Sequence, residues 1–311
     1  MVSLPTEVAL MTTEMFMLAT LDGLSAAALL FMVALGLTLI FGVMGILNVA
    51  HGSLYAIGGY AAATFGLGID KFGLSPALYL PALFVAAILV GPLLGITLEL
   101  GLLRRILGKD HVLQLLVTFA AFMILEDVQR LVWGTQPYFV SRAMTQFGNT
   151  EILGILYTNY QMIVLPLVAA VAYYGLRYFL SKTWIGREVI AMTFHREVAT
   201  AMGVNAKLVS LLTFIIGATL GALGGALASP STSLMLGVGA DMIVQSFAVI
   251  AIAGLGQLGG AALAACLIGL SRSFAVYLMP ELAVLTPYLI MMLVLLVRPQ
   301  GLFAVTSMRR V

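Results

Sequence analysis

Charge is what this chain has least of. Asp, Glu, Lys and Arg together make up 9% of its 311 residues, against about 25% in a soluble domain. So few charges cannot cover a water-facing surface. A chain that is 62% hydrophobic, with a mean hydropathy of +1.10, belongs in lipid. The net charge of +2 gives no support for a nucleic-acid partner. Cysteine is nearly absent: Cys266 stands alone inside an apolar run, which excludes an internal disulfide. His51, His111 and His195 are too scattered for a metal cluster, and neither a metal nor a cofactor is expected. No phosphate-binding G-x-x-x-x-G-K-[ST] loop occurs, since Gly108-Lys109 is followed by Asp110, and there is no H-E-x-x-H. The chain is therefore expected to carry no catalytic residues and to be no enzyme. The N-terminal stretch holds Glu7, Glu14 and Asp22 and no Lys or Arg, unlike the basic start of a secretion signal.

What the chain does have is long apolar runs. Spanning a bilayer takes about 20 residues. Candidate spans lie near 20–46, 52–69, 75–101, 112–133, 159–180, 208–229, 242–260, 261–279 and 283–297. The expected fold is an all-α polytopic membrane protein with about nine transmembrane helices (eight to ten). Residues 1–311 form one transmembrane domain. Gly254, Gly256, Gly259 and Gly260 mark a break between two short segments, either a turn or a discontinuous helix lining a cavity.

Basic residues orient these spans. Arg104, Arg105, Lys109, Arg177, Lys182, Arg187, Arg196, Lys207, Arg298, Arg309 and Arg310 fall on one side, and only Lys71 and Arg142 lie in loops on the other. Cytoplasmic loops are enriched in Lys and Arg. This predicts a cytoplasmic C-terminus, a cytoplasmic 182–207 loop and an external N-terminus. Within that loop, REVIAMTFHREVATAM has helical spacing, with Val189, Met192, Val198 and Met202 available for an apolar face. Gly203 can close the helix in a left-handed cap, with Asn205 just beyond. Such a helix either rests on the membrane surface or inserts into a partner's groove.

Polar residues inside membranes are costly and point to function or to pairing. Glu126, Asp127 and Arg130 cluster on the fourth span, one turn separating Glu126 from Arg130. They form either a salt-bridged helix end or an outer gate. Asn48 and His51 sit in the break between the first two spans, where they either bond broken-helix backbone or line a path. Arg272 must pair or face water, and Glu281, nine residues on, does not obviously serve. Gly217, Gly221 and Gly225 recur every fourth residue, and Gly91 and Gly95 share that spacing, which lets helices approach closely in lipid.

Five ordered pieces carry a resemblance. The first is GLTLIFGVMGILNVAHGSLYAIGGYAAATFG, with Gly42, Asn48, Ala50, His51, Gly52, Tyr55 and Gly58 in place. The second is the loop with Gly186, Arg187, Glu197, Ala199, Gly203, Val204 and Asn205, close to an E-A-A-x-x-x-G pattern. FIIGATLGALGGAL, AGLGQLGGA and the closing LLVRPQGLF complete the set. Over essentially its whole length the chain resembles the H-type permease of branched-chain amino-acid ABC importers. It departs from that pattern at Ala253, where a glycine is more common, at Ile190, where a basic residue is more common, and at Arg272, where a glutamate is frequent. The I-x-L-P element that follows the general E-A-A pattern is missing.

The resemblance implies a permease of the bacterial inner (plasma) membrane. Its partners would be a second, M-type permease, two cytoplasmic ATP-binding subunits and a periplasmic solute-binding protein. ATPase coupling would fall to Arg187, Glu197, Ala199, Gly203, Val204 and Asn205. The translocation path would run near Asn48, His51, Gly254 and Gly256. The cargo would be branched-chain or other hydrophobic amino acids. Related permeases move urea, short amides or aromatic acids. A stand-alone secondary transporter or channel is the rival class, and it needs ion-coupling carboxylates at mid-membrane. Glu99 and Glu126 instead lie toward span ends.

Overall fold

The computed structural model describes residues 13–303 apart from Leu153 and Leu255. Glu7, Arg309 and Arg310, used above for orientation, lie outside the described residues. Thirteen helices follow in order: α1 (Thr13–Met44), α2 (His51–Lys71), α3 (Tyr79–Leu98), α4 (Arg104–Ile106), α5 (His111–Trp133), α6 (Arg142–Thr145), α7 (Leu165–Lys182), α8 (Trp184–Phe194), α9 (Arg196–Ala201), α10 (Ala206–Ala228), α11 (Val238–Ala253), α12 (Leu258–Leu278) and α13 (Thr286–Val297). A π turn at Glu99–Leu103 joins α3 to α4, and another at Tyr160–Val164 leads into α7.

Every apolar window read from the sequence lies over a helix. Among the described residues, however, six helices and not nine are long and apolar enough to cross a membrane: Thr13–Met44, Pro76–Ile106, His111–Trp133, Tyr160–Lys182, Ala206–Ala228 and Leu258–Leu278. The count of nine is corrected for a geometric reason. Helices α11 and α13 hold 16 and 12 residues. At 1.5 Å per residue these reach roughly 24 and 18 Å, short of a hydrocarbon core of about 30 Å. Helix α2 is long enough at 21 residues but is not among the six. The chain is not purely helical either. Strands β1 (Asn149–Ile152) and β2 (Ile155–Thr158) form an antiparallel hairpin, with Asn149 opposite Thr158 and Ile152 opposite Ile155.

Two helices form the hub. The most apolar stretch of α1 is 78% buried and that of α10 is 61% buried, whereas those of α5 and α7 are only 22% buried and face outward. Helix α10 packs on α1, α2 and α3 along its small residues. A Cβ at Gly225 would strike the Tyr55 carbonyl oxygen, one at Gly58 the Ala222 carbonyl, and one at Gly36 the Gly217 carbonyl. In lipid, helices lack a hydrophobic drive to associate, so close backbone packing supplies the attraction.

The helix ends sort to two faces. On one, Asp70 bonds Arg142, Tyr138 pairs with Leu234 across an isolated bridge, and Tyr157 and Tyr277 both donate to Asp22 at 2.8 and 2.6 Å. On the other, Gly42 lies against Thr193 and Gly256, and Leu302 and Phe303 donate backbone bonds to Ile252 and Ala253 at 2.8 and 3.1 Å. The second face carries Arg177, Lys182, Arg187, Arg196, Lys207 and Arg298.

Candidate functional site

The segment joining α7 to α10 is built from sharp turns. Thr183 caps α8, its hydroxyl accepting from the Gly186 amide at 2.9 Å. A side chain at Gly186 would run into the Phe179 carbonyl, so α8 can fold back tightly on α7. The single helix expected over 187–202 is in fact two. At His195 the backbone leaves the helical region (φ −147°, ψ 84°), separating α8 from α9.

Helix α9 then stops in a Schellman cap. The Gly203 amide donates to Thr200 O at 3.0 Å and the Val204 amide to Ala199 O at 3.1 Å. This requires φ of +94° at Gly203, a conformation that an L side chain resists. Two residues later Asn205 begins α10, its side chain accepting from the Leu208 amide at 3.2 Å. Cap follows cap, with Val204 the one residue between the Gly203 turn and the Asn205 cap of α10.

The apolar face of this segment splits between two destinations. Val189, Met192 and Ala199 are buried against the bundle. Phe194, Val198 and Met202 are 76%, 61% and 82% exposed on the basic face. The expectation of one apolar face holding Val189, Met192, Val198 and Met202 is thus corrected: the kink at His195 turns the last two outward. Glu197 is exposed beside them. Arg187, also exposed, lies over the Trp184 ring at 5.8 Å, and the Trp184 indole donates to Glu188 at 2.7 Å. Next to this segment, between α1, α7, α8 and the 254–257 turn, is a cavity of about 680 Å³ lined by Thr38, Arg177, Thr193, Phe194, Gly256 and Gln257 among others.

The residues assigned to the path do not form one cluster. His51 is fully buried, its Nε2 3.1 Å from Val33 O and its ring against Gly221. It ties the start of α2 to the middle of α1 and α10. Asn48 is also buried, and Asn48 Nδ2 and His51 Nδ1 lack partners among the described residues. Gly254 (φ +95°) and Gly256 (φ +82°) instead shape the tight turn between α11 and α12, against Gly301 and Gly42. That break is a turn.

Glu126, Asp127 and Arg130 do not pair. The ion pairs among the described residues are Arg104–Glu99 at 3.0 Å and Arg142–Asp70 at 2.6 Å. Of the two readings of this cluster, the salt-bridged helix end is not what the structure shows: Glu126 is half-buried, Asp127 and Arg130 are exposed, and the buried polar residue of that turn is Gln129, whose side chain donates to Leu125 O at 3.0 Å. Glu99 and Arg104 were not foreseen as a pair. The π turn brings residues five apart onto one face, and the buried Glu99 carboxylate accepts from Arg104 Nε at 3.2 Å and NH2 at 3.0 Å. Arg272 gains a partner that sequence reasoning missed: NH1 donates to Gln245 Oε1 at 3.1 Å. A lone glutamine in the apolar α11 was the available signal. No group of three or more metal-ligating side chains occurs among the described residues.

Known proteins resemble this chain over most of its length. The high-affinity branched-chain amino acid transport system permease protein BraD of Pseudomonas aeruginosa is 25% identical over 296 residues, covering 93% of this chain and 96% of that one. The corresponding LivH of Escherichia coli is 25% identical over 308 residues, covering 95% and 98%. A probable branched-chain amino acid transport permease protein LivH of Methanocaldococcus jannaschii is 29% identical over 257 residues, covering 80% and 78%. Among solved structures, PsaBC from Streptococcus pneumoniae in complex with Fab matches with a TM-score of 0.49 and 16% identity, covering 90% of this chain and 91% of that one. Residues 19–295 match the family described as branched-chain amino acid transport system / permease component. With most of its length inside that match, this multi-pass membrane chain belongs to the family of branched-chain amino-acid transport permeases, as a transport component rather than an enzyme.

Proposed function

We propose that this chain is the H-type permease subunit of an ATP-driven importer that moves branched-chain or other hydrophobic amino acids across the bacterial inner membrane. It works with a second, M-type permease, two cytoplasmic ATP-binding subunits and a periplasmic solute-binding protein. The observation that carries this reading is the exposed apolar knuckle of Phe194, Val198 and Met202 at the kinked α8–α9 corner. Three large apolar side chains held out on a basic face suit insertion into a groove on another protein. The back-to-back caps at Gly203 and Asn205 connect that knuckle to α10 without a flexible joint. ATP-driven closure of the partner subunits would move α9, and α10 would carry the motion to α1, α2 and α3. Glu197 offers a charge to a basic partner, and Arg187 lies on the same segment.

The basic face is cytoplasmic in this reading, by the positive-inside rule. In a Cys266→Ser background, a cysteine at Thr193 should react with an impermeant thiol reagent only from the cytoplasmic side, and one at Gly148 only from outside. Both positions are exposed. The docking itself is tested by Glu197→Lys combined with Gly203→Leu. The variant should insert normally but support no ATP-driven uptake. Normal uptake at normal expression would remove the coupling role.

A further inference from the structure

Arg272 is a cation within the membrane span of α12 without a counter-ion. Its guanidinium donates to a neutral amide, Gln245 Oε1, at 3.1 Å, and it forms no ion pair within 4 Å among the described residues. It is half-buried, as is Gln245. A guanidinium in a membrane span faces the protein interior or a watered crevice, and it needs an anion or a ring of acceptors. One amide oxygen satisfies one of five N–H donors. The remaining donors are left to a ligand or to water.

The surroundings define the ligand. The guanidinium fork matches a carboxylate with two parallel bonds. On α11, Asp241 lies one helical turn before Gln245 and therefore on the same face, and it is exposed. Among the described residues no cation is within 4 Å of Asp241. A guanidinium with spare donors and an exposed carboxylate thus border one polar stripe along α11, beside its contact with α12. The stripe lies in the first half of α11 and is partly open, with Asp241 exposed and Gln245 and Arg272 half-buried.

We infer that Arg272, Gln245 and Asp241 form a transient recognition site for a small carboxylate-bearing zwitterion on the translocation path, with Arg272 receiving the carboxylate and Asp241 the ammonium. This rests on the amino-acid importer reading above and adds a specificity-determining site to it. Gln245 holds the guanidinium in place between visits. Asp241, one turn away, keeps the site from retaining simple anions, which carry no ammonium to offset its charge.

The test uses the whole importer reconstituted in liposomes with its binding protein, comparing the native chain with Arg272→Gln and Arg272→Lys. A glutamine at 272 can still bond Gln245, so packing is retained while the charge is lost. Arg272→Gln should lower the maximal uptake of leucine or valine at saturating loaded binding protein by about tenfold or more, the weight of a charged hydrogen bond. Basal ATPase activity and half-saturation by the binding protein should not change. Arg272→Lys should recover most of the rate, and Asp241→Asn should lower it less than Arg272→Gln. Unchanged uptake by Arg272→Gln would overturn the inference, as would a loss that Arg272→Lys shares in full. Failure of the underlying reading is distinguishable. If the native assembly moves no hydrophobic amino acid but does move urea or a short amide, with Arg272→Gln indifferent, both readings fall. If it moves another amino or carboxylic acid and Arg272→Gln slows it, the site stands and only the cargo is revised.

Discussion

The glycines of α10 and the glycine at 203 look alike in sequence and serve opposite needs. Gly217, Gly221 and Gly225 have ordinary helical backbones and no room: Ile40, His51 and the Tyr55 carbonyl occupy the places where a side chain would go. Gly203 has open space, with nothing within 4 Å of a built Cβ, and a backbone at φ +94°. In the hub, glycine is required for space. At the α9–α10 corner it is required for conformation. The hub's stability is thus set by volume, and the corner's by dihedral angle, so substitutions should separate the two.

The largest effect is expected where volume is at its limit. Gly225→Val drives two methyl groups into the α2 backbone, which cannot yield without moving the helix. It should cost on the order of 3 kcal/mol or more, beyond ordinary overpacking. In detergent the variant should be recovered poorly or melt many degrees lower. A native-like melting profile would mean that α2 and α10 are not in backbone contact.

Next comes the corner. Val198→Asp with Met202→Asp changes only exposed side chains, so melting should stay within about 0.5 kcal/mol of native. Association with the ATP-binding subunits, read by co-purification and uptake, should be lost. If stability dropped with association, the knuckle would be part of the permease's own core.

Gly203→Ala should be intermediate. Left-handed backbone costs an L residue roughly 1–2 kcal/mol. That would loosen the Schellman cap while leaving the hub intact. Uptake should fall in part while the melting temperature drops by no more than a few degrees, and Gly203→Asn should recover some of it, since asparagine tolerates this conformation. An alanine variant as active as native would show that the cap is not needed to transmit motion.

The smallest change belongs to a residue outside both regions. Glu126→Gln removes a carboxylate that makes no ion pair among the described residues, and should alter stability by less than about 0.5 kcal/mol. A cost above 1 kcal/mol would revive the salt bridge that the geometry denies.

Much of this was legible beforehand because it depends on local rules. Apolar windows of sufficient length gave helices wherever they occurred, since a backbone in lipid must satisfy its own hydrogen bonds. The Gly203 cap was legible because only glycine takes that angle cheaply. The small-residue stripe of α10 announced close packing, though not whether it met α1, α2 or α3. What was hidden depended on distance along the chain. The Arg272–Gln245 bond spans 27 residues and the Asp22–Tyr277 bond 255. The kink at His195 was hidden because its apolar pattern runs on through both halves, and the β1–β2 hairpin because four-residue strands carry little periodicity.

Composition and spacing alone determined that this chain lives in a membrane, that its helices approach through glycine, and that its basic residues gather on one side. These follow from the cost of unsatisfied backbone in lipid, from the missing Cβ, and from the distribution of Lys and Arg. Only the tertiary structure decided which apolar side chains turn outward at the α8–α9 corner, which polar residues remain unpaired, and that Glu126 and Arg130 stand apart while Arg272 meets Gln245. Those outcomes depend on how the helices rotate about their own axes when packed. In a chain apolar on nearly every face, hydrophobic periodicity does not fix that rotation.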